Sequence, residues 1–170
     1  NSCQRFDLIA AMTYDRVIGN GSQLPLHIPE ELKFFKEMTT NKTLIMGANT
    51  LKSIGKTLPN RNHVIISSKP QSEFDSFGNI AVCNDIDSAI TKAKSFRTDV
   101  FVVGGLSIYK QFLETNICDS LIISWIKDKY VGAVIFPNLI HYPYKVDSIV
   151  KESSEFITMR YIRNDNKHRS

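Results

Sequence analysis

Several residue types that mark particular classes of protein are scarce in this sequence. It holds three cysteines, Cys3, Cys83 and Cys118, and no Cys-x-x-Cys pair. Because an odd number of scattered cysteines does not form a disulfide framework, we interpret them as free thiols in a reducing compartment and expect a cytoplasmic protein. The four histidines are far apart and lack the spacing of metal ligands, so we expect no metal site.

Long apolar runs and charge clusters are missing as well. No apolar run approaches the ~18 residues of a membrane-spanning helix, so we expect no membrane association. Arg5 and Asp7 precede a short apolar run, which is not the pattern of a signal peptide. The net charge of +4 suits an anionic small molecule, but without an arginine-rich run it does not predict a nucleic-acid partner.

The remaining composition is that of one globular domain. The 170 residues are 42% hydrophobic and 22% charged, which is usual for a domain with a sizeable core. No repeat, low-complexity tract or linker divides the sequence. Residues 1–170 are therefore predicted to form a single domain, with a frayed tail at 164–170.

Apolar runs alternate with helical patterns along the chain. Runs with the length of buried strands occupy residues 6–13, 43–47, 63–68, 80–82, 100–103 and 121–126, with a loosely alternating one at 156–162. Helical patterns begin at Pro29, Leu51, Asp85 and Leu106, and residues 71–78 are polar and loop-like. This alternation predicts an α/β domain with a largely parallel sheet, helices on both faces, and ligands at the carboxyl ends of the strands.

The first helical stretch contains an acid on its apolar side. At about 100° per residue, the apolar side chains between Ile28 and Met38 share one side, and Glu31 falls between Phe35 and Met38. Such a carboxylate is either a first-turn acid that favours the helix dipole and bends out to water, or a buried acid that awaits the N–H groups of a ligand. The helix pattern alone does not decide between the two.

Small and polar residues follow three of the predicted strands. Gly104-Gly105 separates a strand from a helix, and forms either a tight turn or a site where free helix N–H groups bind an anion. Residues 47–50 repeat this arrangement with a hydroxyl, and residues 67–69 add two hydroxyls and a cation. Together, the three strand ends favour an extended, multiply phosphorylated ligand.

Eight short motifs connect these features: L-I-A-A-M (8–12), V-I-G-N-G (17–21), L-P-L-H-I-P-E-E-L-K-F-F-K (24–36), I-M-G-A-N-T-L-K-S-I-G (45–55), L-P-N-R (58–61), I-I-S-S (65–68), V-G-G-L-S-I-Y (103–109) and F-P (136–137). Their order and spacing resemble those of the bacterial-type dihydrofolate reductases from about Leu8 to Tyr161. The resemblance implies a single domain with a mostly parallel eight-stranded sheet whose last strand is antiparallel. It also implies a monomer that reduces dihydrofolate with NADPH and binds antifolates.

The resemblance implies a catalytic set of Glu31, Leu26 and Ser124. Glu31 matches the acid that accepts hydrogen bonds from the pterin N3–H and 2-amino groups, while a water delivers the proton to N5. Ser124 replaces a threonine that supports this acid. Arg61 matches the arginine that binds the α-carboxylate of the glutamate tail, although alone it could equally be a solvated turn residue. The other implied substrate contacts are Ile9, Ala10, Leu32, Phe35, Ile54, Leu58 and Val103.

The resemblance also implies the residues around NADPH, which donates a hydride to C6 of the substrate. They are Ala11, Ile18, Gly19, Leu24, Gly47, Ala48, Asn49, Thr50, Ser67, Ser68, Lys69, Val103, Gly104, Gly105, Leu106, Ser107, Ile108 and Tyr109. In the family the Gly-Gly peptide is cis, and residues 19–24 match a mobile loop that closes over the nicotinamide.

Four positions besides Ser124 depart from the family pattern. Leu26 replaces a tryptophan that holds a water near the acid, and Ala48 replaces an arginine beside the 2′-phosphate. Ser107 replaces an arginine near the phosphates, and Ala133 replaces an aspartate that helps to order the closing loop. These departures keep open a homologue that binds a nucleotide or folate with little turnover. A third hypothesis is a reductase of another heterocycle, against which Arg61 argues because such a substrate has no glutamate tail.

Overall fold

The computed structural model describes residues 4–19, 28–129, 131–132 and 134–164. The strands in these ranges are β1 (Phe6–Thr13), β2 (Val17–Gly19), β3 (Thr43–Gly47), β4 (Asn62–Ile66), β5 (Ala81–Cys83), β6 (Val100–Val102), β7 (Ser120–Ile126), β8 (Val134–Ile135), β9 (Tyr144–Glu152) and β10 (Phe156–Arg163). The helices are α1 (Pro29–Thr39), α2 (Ala48–Ile54), α3 (Ile86–Ser95) and α4 (Leu106–Thr115), with 3-10 helices at Gln71–Phe77 and Leu139–His141.

Eight strands form one sheet in the order β5-β4-β3-β6-β1-β7-β10-β9, and β2 pairs with β8. β1 lies between β6 and β7 and is parallel to both. β3 is parallel to β4 and β6, whereas β10 is antiparallel to both β7 and β9. The predicted α/β fold, with a mostly parallel eight-stranded sheet and an antiparallel last strand, is confirmed.

Helices pack on both faces of this sheet. In β1, Leu8 and Met12 belong to a buried cluster that also contains the apolar residues of α3 and α4. Ile9, which points to the other face, belongs to a second cluster with Phe34 of α1 and Leu51 of α2. Because successive side chains of a strand alternate between faces, the two clusters are the two cores that the buried apolar runs predict.

Strand β9 is not predicted by the pattern of its residues. It is the outermost strand of the sheet, and most of its side chains are exposed, including Ile149 at 57%. An edge strand without a buried face has no apolar alternation to reveal it, and β9 is recognised only through its pairing with β10.

The prediction that residues 71–78 form a loop is wrong. Residues 71–77 form a 3-10 helix whose Phe74 is 1% exposed and lies in the second core cluster. The Nζ of Lys52 in α2 lies 5.7 Å from the centre of the Phe74 ring. Two aromatics, Phe74 and Phe77, among polar residues are too few to establish a period, so burial of this segment depends on the sheet that it covers.

The glycines in residues 17–22 predict a loop, but Val17–Gly19 form β2, which pairs with β8. Several predicted features fall outside the described residues, namely Leu24, Leu26, Ala133 and the tail beyond Asn164. Within the described ranges, no helix is long and apolar enough to cross a membrane.

Candidate active site

The start of α1 is fixed against the sheet. Pro29 is the first residue of the helix, and the Glu31 N–H donates to the carbonyl of Ile28 at 3.1 Å. Ile28 is buried in a small cluster with Ile126 of β7. A proline at the first helical position loses no hydrogen bond, so the local sequence and the packing of Ile28 set the same helix start.

The two adjacent acids of α1 have different environments. Glu30 is exposed, with a carboxylate oxygen 3.6 Å from the Nζ of Lys151. Glu31 lines a cavity, and burial raises its pKa from 4.5 to about 7. A buried carboxyl whose charge is poorly solvated suits a ligand that brings N–H donors. The structure therefore favours the buried acid over one that bends out to water.

The cavity beside Glu31 has a volume of about 450 Å³ and apolar walls. Nine of the ten predicted substrate residues line it: Ile9, Ala10, Glu31, Leu32, Phe35, Ile54, Leu58, Arg61 and Val103. They come from β1, α1, α2, the turn before β4 and the end of β6. The cavity thus lies at the carboxyl ends of the central strands, where ligands bind in open α/β sheets.

Arg61 reaches this cavity from the turn before β4. Its Nε donates to the carbonyl of Pro59 at 3.0 Å, and its Nη1 donates to Thr39 Oγ1 at 2.9 Å. Thr39 is fully buried, and its hydroxyl donates to the carbonyl of Phe35 at 2.8 Å. The guanidinium is therefore held against α1, the helix that carries Glu31. Arg61 is not a freely solvated turn residue.

Tyr109 of α4 closes the inner side of the cavity. Its hydroxyl donates to the carbonyl of Ile9 at 2.9 Å, and its ring packs edge-on against Phe136 with 5.2 Å between centres. Burial, together with the negative charge of Glu31, raises the pKa of Tyr109, so the phenol keeps its proton. A Cβ at Gly104, whose φ is +115°, would lie 3.3 Å from this ring, so the position suits glycine alone.

A second cleft, of about 740 Å³, lies across Gly105 from the first cavity. Ten of the predicted cofactor residues line it: Gly47, Ala48, Asn49, Thr50, Ser67, Ser68, Gly105, Leu106, Ser107 and Ile108. Thr50 and Gly105 line both spaces. The two spaces therefore meet at one point, where a ligand in the cavity can contact a ligand in the cleft.

The second cleft suits a phosphorylated ligand. Gly105 is the N-cap of α4 and makes no side-chain cap, so the first N–H groups of α4 are available to an anion in the cleft. Four hydroxyls line the same space, those of Thr50, Ser67, Ser68 and Ser107. The peptide between Gly104 and Gly105 is cis, as the resemblance implies.

The sequence profile described as dihydrofolate reductase matches residues 5–162. The dihydrofolate reductases of Haemophilus influenzae and Buchnera aphidicola are 34% and 32% identical to this chain, over 79% and 82% of it and 79% and 81% of their own lengths. A solved dihydrofolate reductase from Enterococcus faecalis, complexed with NADP(H) and RAB-propyl, matches with a TM-score of 0.83 and 26% identity, covering 95% of this chain and 97% of its own. The chain belongs to the dihydrofolate reductase family. The prediction of an NADPH-dependent oxidoreductase is thereby confirmed.

Some predicted site residues of this reductase lie elsewhere. Ser124 is buried in β7, and its hydroxyl shares a 2.7 Å hydrogen bond with that of Thr158 and is absent from the cavity wall. Ile18 and Gly19 lie in β2, outside the linings of both spaces. Lys69 is exposed and also lies outside these linings, although its backbone N–H donates to Ser67 Oγ at 3.0 Å. The Ser124 hydroxyl therefore hydrogen-bonds to Thr158 and not to Glu31.

The reductase also has lining residues that the sequence analysis missed. Lys36 and Ser53 line the first cavity, and Ile66, Asn84, Gln111 and Val134 line the second. Helical spacing could have revealed two of them, because Lys36 and Gln111 each lie four residues after a predicted site residue. Asn84 and Val134 come from loops and a short strand, where no periodicity applies.

Proposed function

We propose that this reductase converts 7,8-dihydrofolate to 5,6,7,8-tetrahydrofolate by hydride transfer to C6 and protonation of N5. The observation that carries the proposal is that a buried acid, Glu31, and a fixed cation, Arg61, line one apolar cavity. Dihydrofolate has the matching groups, since its pterin presents N–H donors and its glutamate tail presents carboxylates. The cavity meets a cleft for a phosphorylated cofactor at Thr50 and Gly105.

Glu31 orients and polarises the pterin ring. In the empty cavity its carboxyl holds a proton to about pH 7. The pterin N3–H and 2-amino groups replace the solvation that burial removes, so substrate binding favours the carboxylate. The charge of Glu31 then stabilises a protonated pterin, while a water delivers the proton to N5. Tyr109, with its proton held by Ile9, keeps the neighbouring wall neutral.

The cofactor cleft binds and orients NADPH, which supplies the hydride when bound. We assign the phosphates to the N–H groups at the start of α4 and to the hydroxyls of Thr50, Ser67 and Ser68. Thr50 and Gly105, which line both spaces, place the nicotinamide beside the pterin. The apolar walls of the substrate cavity would exclude water from the transfer.

A steady-state assay that follows NADPH oxidation with dihydrofolate tests this proposal. We expect saturable turnover that requires both compounds. A chain that binds NADPH and methotrexate but shows no turnover would instead be a binding homologue. Turnover of a tail-less pteridine with the same efficiency as dihydrofolate would favour a reductase of another heterocycle.

Replacing Ala48 with arginine is expected to strengthen the preference for NADPH over NADH. Ala48 lines the cofactor cleft close to Ser68, and an arginine there would add a charge-assisted contact to the 2′-phosphate, worth about 1.5–3 kcal/mol. The parent should still prefer NADPH, through Ser68 in the cleft and the charge of the exposed Lys69 next to it in the chain, but by a smaller margin than family members that carry the arginine. The ratio of kcat/KM for the two cofactors measures this preference, with Ser95→Arg, at the exposed last residue of α3, as a control of equal charge. An unchanged ratio for Ala48→Arg places the 2′-phosphate elsewhere.

Trimethoprim is expected to bind at least ~10-fold more weakly here than to family members with an aspartate and a tryptophan at positions 31 and 26. Glu31 is one methylene longer than aspartate, so the charged ring of the inhibitor must shift. Leu26 offers no donor to hold a bridging water. Methotrexate should still bind tightly, because its glutamate tail reaches Arg61. The double change Leu26→Trp with Glu31→Asp should lower the trimethoprim inhibition constant, and tight trimethoprim inhibition of the parent contradicts the prediction.

A further inference from the structure

The turn at residues 58–61 carries two side chains into the substrate cavity. Leu58 and Arg61, at its two ends, both line the cavity. Asn60 between them has a φ of +60°, and its carbonyl accepts from the Asn41 N–H at 2.7 Å. The turn lies between α2 and β4 without regular structure of its own. Its position therefore depends on hydrogen bonds to its neighbours.

His63 of β4 supplies one of these hydrogen bonds from inside the protein. Its side chain is 3% exposed, and its Nε2 accepts from the backbone N–H of Leu58 at 3.0 Å. Arg61, at the other end of the turn, lies two residues before His63 in the chain and directly precedes β4. The imidazole thus connects Leu58, the first residue of the turn, to β4, which pairs with β3 in the sheet.

The hydrogen bond from the Leu58 N–H defines the tautomer of the His63 ring. Because Nε2 accepts a hydrogen bond, the proton of the neutral imidazole lies on Nδ1. Burial and the nearby charge of Arg61 lower the pKa of His63. The ring therefore remains neutral at neutral pH, and its Nε2 lone pair stays available to Leu58.

We infer that His63 is a positioning residue for carboxylate recognition, which holds the 58–61 turn so that Arg61 meets the end of the substrate. His63 is absent from the cavity wall and therefore acts through Leu58, which begins the turn that Arg61 ends. The inference rests on the proposed function, in which Arg61 binds the glutamate tail. It assigns to a buried strand residue a role in substrate specificity that its place in β4 does not suggest.

Three substitutions at His63 separate this role from simple packing. Glutamine can place an amide oxygen near the position of Nε2 and can accept from Leu58. The shorter asparagine places its amide near Nδ1 and does not reach Leu58, and leucine offers no acceptor. Ile65→Ala, two residues along the same strand and fully buried, controls for general loosening of β4.

We expect His63→Leu and His63→Asn to raise the KM for dihydrofolate and the Kd of methotrexate by roughly 10-fold, because the turn that carries Arg61 loses a hydrogen bond that holds it to β4. The kcat and the KM for NADPH should stay within about twofold, because neither involves the turn. His63→Gln should keep the parent values. Binding of 2,4-diaminopteridine, which lacks the glutamate tail, should be the same in all variants and in Ile65→Ala.

Amide hydrogen exchange of Leu58, followed by NMR, provides a readout that does not need turnover. The Leu58 amide should exchange faster in His63→Leu and His63→Asn than in the parent, and at the parent rate in His63→Gln. If the parent lacks dihydrofolate reductase activity, the proposed function fails while this exchange pattern still tests the hydrogen bond. Equal KM values for the glutamine and leucine variants overturn the inference. An equal loss of affinity for methotrexate and for 2,4-diaminopteridine also overturns it, as does the same change in the KM for dihydrofolate in Ile65→Ala.

Discussion

Replacing Glu31 with glutamine is expected to lower the turnover of dihydrofolate at neutral pH by at least ~100-fold. Glutamine keeps the size of the side chain but removes the charge that stabilises a protonated pterin. The change is measured by comparing kcat and kcat/KM of Glu31→Gln with those of the parent. Glu30→Gln is the matched control, since Glu30 is the adjacent acid of α1 but is exposed and pairs with Lys151. We expect the control to retain the parent activity.

The pH profile distinguishes this role of Glu31 from a purely structural one. Turnover of Glu31→Gln should partly recover at low pH, where a fraction of the substrate is already protonated before it binds. A variant that only disturbed the cavity would be impaired to the same extent at every pH. Activity of Glu31→Gln within roughly threefold of the parent near neutral pH removes Glu31 from the mechanism.

The stability of the unliganded protein tests the same carboxyl without turnover. Burial raises the pKa of Glu31 in the folded state to about 7, against 4.5 as its ordinary value. Below the ordinary pKa, both the folded and the unfolded state hold the proton, and the ionisation of Glu31 does not affect the free energy of unfolding. Between the two values the unfolded state releases the proton first, so this free energy falls as the pH rises, and the loss is complete above the folded-state pKa.

At mildly alkaline pH the free energy of unfolding of Glu31→Gln should therefore exceed that of the parent by about 1–3 kcal/mol. Near pH 4 the two values should be equal. Urea unfolding of both proteins at the two pH values measures the difference. The predicted result is a gain of stability from a change that abolishes most of the activity, as expected where a buried charge is kept for its ligand. Equal stability of the two proteins at alkaline pH contradicts the burial of this carboxyl.

Replacing Arg61 with alanine is expected to raise the KM for dihydrofolate and to weaken methotrexate binding by about 2–4 kcal/mol, the effect of leaving a bound carboxylate unpaired. Binding of a pterin without a glutamate tail should barely change. Dissociation constants of the two ligand types measure the effect. Arg97→Ala is the control, because Arg97 is exposed and its loss changes the net charge equally.

Equal losses for ligands with and without a tail contradict the role of Arg61. Such a result would mean that the residue supports the cavity wall and not the ligand, through its hydrogen bond to Thr39. The Thr39→Val change, which removes that hydrogen bond and keeps the shape, then has an informative outcome. Thr39→Val should weaken methotrexate binding less than Arg61→Ala does, because the guanidinium remains but is less firmly held.

Local features of the sequence predicted much of the fold. The buried strands β1, β3, β6 and β7 are short apolar runs, and the helical repeat of α1 places Glu31 on the apolar side. The resemblance added the cis peptide at Gly104 and the eight-stranded sheet. Periodicity missed β9 and the burial of Phe74, because an edge strand has no covered face and two aromatics in a polar segment do not establish a period.

The sequence by itself determined the α/β class, because strand and helix periods and turn residues act over a few positions. Its resemblance to the family implied most, but not all, of the residues that line each space. The tertiary structure decided how these residues combine. The order of β3 and β6 in the sheet brings Thr50 and Gly105 to the point where cavity and cleft meet. Burial raises the pKa of Glu31, a hydrogen bond between separate elements joins Arg61 to Thr39, and the turn before β4 folds back so that Leu58 meets His63. Solvation and long-range hydrogen bonds depend on distance in space, which the order of residues along a chain does not specify.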